Sequence, residues 1–435
     1  MKKYKFKFVA LLVAVALMLP NFTGAGALVE NQVGDERSTI EEMEALCALQ
    51  DDAIKAYRSI MNHWRNEEQN VIYPNTYGGS YITVDNRLAV KLVNNDQALR
   101  EEITSIVKDP NILVFESTDI SLTNLKELAY NAKDSLDSQY KINSIVIHQK
   151  TSTVDVSVVP SDVSLYSSPV EIDPHIVISL EEPLEQFWNC ISGVEIDTST
   201  STTQVSASMG WCGKFKFIGE KDYKKCFLTA GHVIRSAKAD KASIKYNNTT
   251  IFNYNDMSDN SGVCRTSFAY GDIQPTSTTT IGDYAFLYSS LMTPSNLCKY
   301  GTSNIQINGW LTDPENQLPD EAKVIKAYGK SGVKEGKISG YSVYTTFENN
   351  VGGVVYSDTV YGLIEVDWKD GTVPFARPGD SGCTVYYNDG SQNVLCGIIT
   401  GGTVDIKVGK TYFTPIDLIC DTGFIPYPYT NGYNG

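Results

Sequence analysis

The chain has 435 residues, 42% of them hydrophobic, so it is long enough to form two or three domains with substantial cores. Its 26 tyrosines and 33 glycines favour β structure. The net charge of −15 argues against a nucleic-acid-binding protein, because such proteins carry clustered lysine and arginine.

The N-terminus has the three parts of a secretory signal peptide. Basic residues in Met1–Lys7 precede an apolar run over residues 8–19, and Ala25-Gly26-Ala27 provides the small residues of a cleavage site. The apolar run is too short to span a membrane. We therefore expect residues 1–27 to be removed on export, leaving a secreted, extracellular protein that is monomeric and not bound to a membrane.

A small α/β unit is predicted for residues 28–160. Thr39 and Glu42 match a capping box, which begins a helix that apolar spacing continues to about Asn66. The other predicted elements are strands at Tyr77–Ile82 and Leu88–Val93, a helix from Ser121 to Leu136, and strands at Ser144–His148 and Val154–Val159. Residues 161–190 contain proline, serine and acidic residues without periodicity, which predicts a linker and processing region.

Three short motifs in residues 191–435 contain candidate catalytic side chains. His232 ends the sequence TAGH, Asp283 lies in GDYA, and Ser381 lies in GDSG. A histidine can act as the base for a serine nucleophile, and a carboxylate can orient the histidine. The bend around Ser381 directs the backbone N–H groups of Gly379 and Ser381 to one side, where they can stabilise an oxyanion.

In this order and in these local sequences, the motifs resemble those of the chymotrypsin-like serine peptidases, especially the bacterial streptogrisin and alpha-lytic endopeptidase group. The resemblance implies a mainly β fold with two six-stranded Greek-key β-barrels over residues 191–435. The Tyr77-Gly78-Gly79-Ser80 strand and its place before a protease domain resemble the pro-regions of that group. The resemblance implies a pro-region that assists folding and inhibits the enzyme until cleavage. Ile191-Ser192-Gly193 resembles the start of the mature streptogrisins.

The same resemblance assigns Ser381 as the nucleophile, His232 as the proton carrier and Asp283 as the group that orients the imidazole. It also implies that an internal cation pairs with Asp380 beside the nucleophile. The family has an arginine there, and the matching stretch of this chain places Lys330 in that role.

The substrate-binding segments are also assigned by resemblance. Thr400-Gly401-Gly402 resembles the strand that pairs with the substrate backbone, and Thr411 lies near the base of the specificity pocket. Because no Asp or His occupies these matched positions, we expect a neutral pocket that accepts apolar or aromatic side chains.

The nine cysteines of an exported chain predict disulfides and at least one thiol left over. A two-residue turn at Asp389-Gly390 would place Cys383 opposite Cys396 in a non-hydrogen-bonded pair, the closer kind of pair. We therefore expect a Cys383–Cys396 disulfide, and a Cys212–Cys226 disulfide across a second hairpin. The sequence has no CxxC or HExxH motif, so we expect no metal site and no cofactor.

The expected function is that of a secreted serine endopeptidase made as a zymogen. Its partners would be a protein or peptide substrate and its own pro-region before processing. The alternative is a non-enzymatic binding protein on the same fold. That alternative is favoured by Cys383, which replaces a second glycine, and by Val233, which replaces the usual cysteine after the histidine. An esterase would have the order Ser, Asp, His, which this chain lacks.

Overall fold

The computed structural model describes residues 36–136, 140–159, 173–180, 184–186, 195–199, 204–216, 221–234, 243–246, 249–252, 264–266, 278–288, 295–300, 303–327, 329, 331–351, 354–368, 374–403 and 409–428. The predicted signal peptide and the predicted mature start at Ile191 lie outside these residues. Among the described residues, no helix is long and apolar enough to cross a bilayer.

The N-terminal unit combines helices with two small groups of strands. Its elements are α1 (Glu36–Ala48), α2 (Asp51–His63), β1 (Tyr77–Ile82), β2 (Leu88–Val93), α3 (Gln97–Ile106), β3 (Leu113–Thr118), α4 (Leu122–Leu136), β4 (Ile142–His148), β5 (Thr153–Val158) and β6 (Ile176–Leu180). The pairs β1–β2 and β4–β5 are antiparallel, as expected for hairpins. Strand β3 pairs parallel with β2, and β6 pairs parallel with β5.

The first helix predicted from the sequence is two helices in the structure, with the break at Leu49-Gln50. The buried Gln50 side chain explains the break. It donates a hydrogen bond to the Glu321 carbonyl and accepts one from the Lys323 N–H, and both groups belong to the C-terminal part of the chain. A contact distant in sequence therefore decides where α1 ends.

The rest of the chain is mainly β, as predicted. Its elements are β7 (Leu184–Gln186), β8 (Glu195–Ser199), β9 (Gln204–Ser208), β10 (Cys212–Phe215), β11 (Lys224–Thr229), β12 (Ser243–Tyr246), β13 (Thr249–Phe252), β14 (Cys264–Thr266), β15 (Thr278–Ile281), β16 (Ala285–Tyr288), β17 (Leu297–Tyr300), β18 (Ser303–Trp310), α5 (Pro314–Gln317), β19 (Lys323–Lys326), β20 (Lys334–Val351), β21 (Val354–Tyr361), β22 (Leu363–Trp368), β23 (Thr384–Asn388), β24 (Asn393–Gly402), β25 (Thr411–Pro415), α6 (Ile416–Cys420) and β26 (Ile425–Pro426).

Six of these strands pair in a closed antiparallel ring. Around the ring, β19 pairs with β20, then come β22, β25, β24 and β23, and β23 pairs with β19 again. Closing a sheet on itself pairs its two edges and forms a barrel. The strands β11 and β16 lie outside this ring, in the sheet β14-β16-β11-β10-β26, and four more strands form the sheet β13-β12-β8-β9.

The N-terminal unit joins the barrel through a continuous sheet. Strand β4 pairs antiparallel with β20, with Ile147 opposite Tyr341, so that β20, β4, β5 and β6 are successive neighbours. Strands β6 and β7 both fall in the predicted linker, residues 161–190, and β7 also pairs with β20 and β24. The domain boundaries remain a prediction.

The predicted Cys383–Cys396 disulfide is wrong, because the hairpin has a different register. Asn388 pairs with Asn393, so the loop has four residues instead of two. The Asp389 carboxylate accepts hydrogen bonds from the N–H groups of Ser391 and Gln392 and stabilises this longer loop. A bulge further along places Cys383 level with Ile399, and neither cysteine forms a disulfide.

The predicted Cys212–Cys226 disulfide is wrong for a related reason. Cys212 pairs with Phe227, and Cys226 pairs with Gly213. Successive side chains of a strand point to opposite faces of the sheet, so the two thiols lie on different faces. Neither residue forms a disulfide, and the Cys212 thiol instead donates to the Ser295 carbonyl oxygen at 2.9 Å.

Candidate active site

Two paired strands bring His232 and Asp283 together. His232 lies in a short helical turn, residues 231–234, directly after β11, and Asp283 lies in the turn before β16. Strands β11 and β16 are antiparallel neighbours, with Thr229 opposite Ala285, so the end of one strand meets the start of the other. Ser381 comes from a separate part of the fold, the turn that leads into strand β23 of the barrel.

The imidazole of His232 lies between the other two side chains. Its Nδ1 is 2.7 Å from Asp283 Oδ2, and its Nε2 is 3.0 Å from Ser381 Oγ. The other carboxylate oxygen of Asp283 accepts the backbone N–H of His232 at 3.0 Å, which fixes the ring and the carboxylate together. All three residues are at most 1% exposed.

This geometry selects one tautomer of His232. An ionised carboxylate only accepts hydrogen bonds, so Nδ1 must carry a hydrogen and donate this hydrogen bond to Asp283. Nε2 then carries a lone pair directed at the Ser381 hydroxyl. A neutral imidazole in this tautomer can take the proton of the serine as its oxygen attacks a carbonyl carbon, so the arrangement is capable of general-base-assisted nucleophilic attack.

The barrel also supplies groups that hold Asp283 and Ser381. Thr414 Oγ1 accepts the Asp283 N–H at 2.9 Å and lies 2.9 Å from Thr400 Oγ1. Ser381 Oγ is 3.3 Å from the Thr400 carbonyl oxygen. Sequence reasoning did not single out Thr414, because its role depends on contact between two separate parts of the fold.

The turn around the nucleophile requires glycine at two positions. Gly379 and Gly382 have φ values of +115° and +87°, a region that side chains disfavour. A Cβ on Gly382 would also lie 2.3 Å from the Ser208 carbonyl oxygen. Ser208 further donates from its hydroxyl to the Gly379 carbonyl at 3.0 Å. The turn therefore packs tightly against the end of β9, and the oxyanion-binding role of Gly379 and Ser381 stays a prediction.

Lys326 is a cation that lies beside Asp380 among the described residues. Both side chains are fully buried, and Lys326 Nζ is 3.6 Å from Asp380 Oδ1. Lys330, the partner that we predicted from the sequence, lies outside the described residues. Asp380 also accepts the N–H groups of Arg377 at 2.8 Å and Ser331 at 3.3 Å. Its carboxylate thus connects the nucleophile turn to the loop that follows β19.

The predicted substrate-binding residues lie together at the end of the barrel. Thr400, Gly401 and Gly402 are the last residues of β24, and Gly402 pairs with Thr411 at the start of β25. Thr400 and Thr411 are buried. Because the Thr400 carbonyl contacts Ser381, the end of this strand reaches the candidate nucleophile. The substrate pocket and its specificity stay predictions.

A polar cluster lies where the N-terminal unit meets strands β22 and β25. Lys410 Nζ is 3.3 Å from Asp155 of β5 and 3.5 Å from Glu365 of β22. The Tyr412 hydroxyl donates to Glu365 Oε2 at 2.8 Å, and the His148 ring nitrogen Nδ1 is 2.7 Å from the Ser339 carbonyl. These contacts connect the N-terminal unit to the strand that carries Thr411.

Asp320 is a second buried carboxylate at this junction. Its Oδ2 accepts the N–H groups of Gln149 at 2.8 Å and Lys150 at 3.4 Å, both from the turn between β4 and β5. Burial raises its pKa from 3.8 to about 7, while the charge of His148 and the two N–H donors lower it by less. The folded protein therefore favours protonated Asp320 at a pH where the unfolded chain has it ionised.

We expect the free energy of unfolding to fall less with rising pH in Asp320→Asn than in the wild-type protein. A raised pKa gives a stabilising contribution that is complete below 3.8 and is lost as the pH rises through about 7. Between pH 5 and pH 8 the free energy of unfolding of the wild-type protein should fall by on the order of 2 kcal/mol more than that of Asp320→Asn. Urea unfolding of both proteins at the two pH values, in a Ser381→Ala background, measures this difference. Parallel pH profiles would contradict it.

Comparison with known proteins gives a family match for the N-terminal unit alone. A family model described as a Pro-like N-terminal domain matches residues 41–118. A search of curated proteins finds no match. The matched region covers α2, α3 and the sheet β1-β2-β3, which are the elements assigned to the pro-region.

Solved structures similar to this chain include several serine proteases. One is a glutamic-acid-specific serine protease that uses a histidine triad in substrate binding, at 17% identity and a TM-score of 0.34, covering 54% of this chain and 99% of that one. A chymotrypsin from Cellulomonas bogoriensis has 20% identity and a TM-score of 0.31, covering 55% and 97%. The HtrA-type protease AlgW with a tripeptide has 14% identity and a TM-score of 0.26, covering 54% and 59%. At these TM-scores, a functional assignment has to rest on the geometry of the site itself.

Proposed function

We propose that this chain is a secreted serine endopeptidase that hydrolyses peptide bonds through an acyl-enzyme. The observation that supports this most strongly is the His232 imidazole, placed 2.7 Å from Asp283 and 3.0 Å from Ser381. Ser381 attacks the carbonyl carbon, and His232 takes the serine proton and transfers it to the leaving amine. Asp283 holds the tautomer that this transfer requires. Gly379 and Ser381 donate backbone N–H groups to the oxyanion.

The enzyme is made as a zymogen in this proposal. The support is the sheet that runs from the barrel strand β20 into β4, β5 and β6, together with the Pro-like match at residues 41–118. The N-terminal unit is the pro-region, which covers the site until it is cleaved away. Full burial of Ser381 agrees with a covered nucleophile in the unprocessed chain. The mature enzyme acts on protein or peptide substrates as a monomer, without a cofactor.

A fluorophosphonate probe tests the proposed function. We expect the processed protein to be labelled covalently at Ser381, because phosphonylation requires a serine activated by a base. The Ser381→Ala variant should show no labelling. A matched control is Ser391→Ala, which alters an exposed serine in the β23–β24 loop and should keep full labelling.

Two outcomes would contradict the proposal. One is failure of the processed wild-type protein to react. The other is equal labelling of the Ser381→Ala variant. The first result would favour the non-enzymatic binding protein, which keeps the fold but does not activate the serine. The second would show that the probe reacts with a residue other than Ser381.

A further inference from the structure

The hairpin formed by β10 and β11 concentrates positive charge in a chain that is acidic overall. Residues 214–225 contain five lysines and two acidic residues, a formal charge of +3, whereas the whole chain has a net charge of −15. Lys216, Lys221 and Lys225 are exposed, and none of the three forms an ion pair with another described residue. The hairpin therefore presents a basic surface of opposite sign to the chain that carries it.

Two lysines of this surface lie directly opposite each other across the strand pair. Lys214 of β10 is the register partner of Lys225 of β11, so both side chains project from the same face of the sheet. The Lys214 ammonium lies 5.4 Å from the centre of the Tyr223 ring, which is 48% exposed. Like charges in directly opposed positions destabilise a sheet. An anionic group bound between the two ammonium groups would remove that repulsion.

The opposite face of the hairpin fixes the backbone beneath these lysines. Phe215 stacks on Phe286 of β16 with the ring centres 4.3 Å apart, and Phe286 stacks on Phe424 at 5.3 Å. Strand β10 is also paired along its second edge with β26, where Lys214 lies opposite Ile425. Because aromatic packing and pairing on both edges hold the strand in place, a ligand would bind charges that are already positioned.

The basic face belongs to the strand that leads to the candidate active site. Lys225, Phe227 and Thr229 alternate along β11 and share one face. Thr229 Oγ1 donates to the Ser208 carbonyl at 2.8 Å, and the Ser208 N–H donates to the Ser381 carbonyl at 3.1 Å. The four residue steps from Lys225 to Thr229 cover about 13 Å of strand. An extended polypeptide bound at Ser381 would reach the lysines with about four to six residues.

We propose that the lysines of the β10–β11 hairpin form an exosite for an acidic segment of the protein substrate, located about four to six residues from the bond that is cut. This inference rests on the peptidase function proposed above, and it names the substrate class as proteins with aspartate or glutamate residues at that distance. A lysine ammonium is a point charge on a flexible stem, so it can pair with carboxylates that approach from several directions. The surface therefore selects a charge pattern and not a fixed sequence.

The exosite acts on substrate binding and not on the chemical step. Its lysines pair with a part of the substrate that does not react, so the contact is equally strong before and during bond cleavage. Such uniform binding lowers KM and leaves kcat unchanged. Because the surface is exposed, the effect should also decrease as salt screens the charges.

Steady-state cleavage of matched peptides by the processed protein tests the exosite. The peptides share one sequence around the cut bond and carry a tail of four glutamates, four glutamines or four lysines, five residues before the bond in one set and five residues after it in the other. We expect the glutamate tail to lower KM about three- to tenfold relative to the glutamine tail in one of the sets, because two or three weak exposed ion pairs act together. The kcat values should agree within about twofold, and 0.5 M sodium chloride should abolish the difference in KM.

Three triple variants separate the charge of the lysines from the shape of the hairpin. Replacing Lys214, Lys216 and Lys225 by glutamine should remove the preference for the glutamate tail and leave cleavage of the glutamine-tailed peptide unchanged. Replacing the same three residues by arginine is the matched control, and it should keep the preference because it keeps the charge. Replacing them by glutamate should reverse the preference, so that the lysine tail gives the lowest KM. Fluorophosphonate labelling of each variant shows that the active site is intact.

The outcomes distinguish the exosite from the proposed function. Equal KM values for the glutamate and glutamine tails, or a preference that survives the glutamine triple variant, would overturn the exosite and leave the peptidase intact. Loss of the preference in the arginine variant as well would show that charge is not its cause, which also overturns the exosite. If the glutamine variant lost binding to polyphosphate but cleaved all tails as the wild type does, the surface would serve polyanions and not substrates. Failure of every peptide to be cut, together with absence of labelling, would contradict both proposals.

Discussion

Asp283→Asn is expected to lower kcat about 10,000-fold while leaving the fold intact, because the side chain orients His232 without touching the substrate. In the wild-type protein, the carboxylate accepts from both the backbone N–H and Nδ1 of His232. An asparagine oxygen can accept only one of these, and its NH₂ group then faces the other nitrogen. If that group donates to Nδ1, the proton moves to Nε2, which can no longer accept from Ser381. Cleavage of a chromogenic peptide by the processed variant measures the loss.

A matched control for Asp283→Asn is Asp417→Asn. Burial raises the pKa of Asp417 to about 7, and the residue lies in α6, outside the turns that carry the three candidate catalytic side chains. Asparagine there should leave kcat within about twofold, because it removes a buried carboxylate without changing the side chains of the Asp283–His232–Ser381 contacts. If both variants lost activity equally, the loss would reflect damage to the fold. If Asp283→Asn kept more than about a tenth of wild-type kcat, the orienting role of Asp283 would be excluded.

The sequence was sufficient for features that depend on a few adjacent residues. The three motifs identified His232, Asp283 and Ser381, which the structure brings together although they are far apart along the chain. Strands Tyr77–Ile82 and Leu88–Val93 have the predicted bounds, because alternation and turn residues define them locally. The helix predicted from Ser121 begins at Leu122 in the structure.

Features that depend on tertiary register could not be predicted in the same way. The Cys383–Cys396 prediction failed because Asp389 stabilises a four-residue loop and a bulge shifts the strand. Lys326, the buried last residue of β19, pairs with Asp380 through a tertiary contact that the sequence did not reveal, whereas the Lys330 prediction stays untested. Strand β7 pairs with β20 and β24, which lie far from it along the chain, and no local sequence pattern predicted it.

Lys326→Met is expected to destabilise the protein by about 3 to 5 kcal/mol, because it removes the buried charge that pairs with the Asp380 carboxylate. Lys326 Nζ also donates to the Gly332 carbonyl at 2.6 Å, so the lysine holds the loop that carries Ser331. That loop in turn donates the Ser331 N–H to Asp380. Urea unfolding in a Ser381→Ala background measures the change, and kcat of the active variant should fall with it.

The double variant Lys326→Met with Asp380→Asn separates loss of pairing from loss of packing. Asparagine still accepts the Arg377 N–H that closes the nucleophile turn, but it does not leave a buried charge. We therefore expect the double variant to regain at least about 2 kcal/mol over Lys326→Met alone, a coupling that a double-mutant cycle quantifies. If the two effects simply added, the lysine would act through its aliphatic packing. The Lys326–Asp380 ion pair would then not be the interaction that stabilises the turn carrying Ser381.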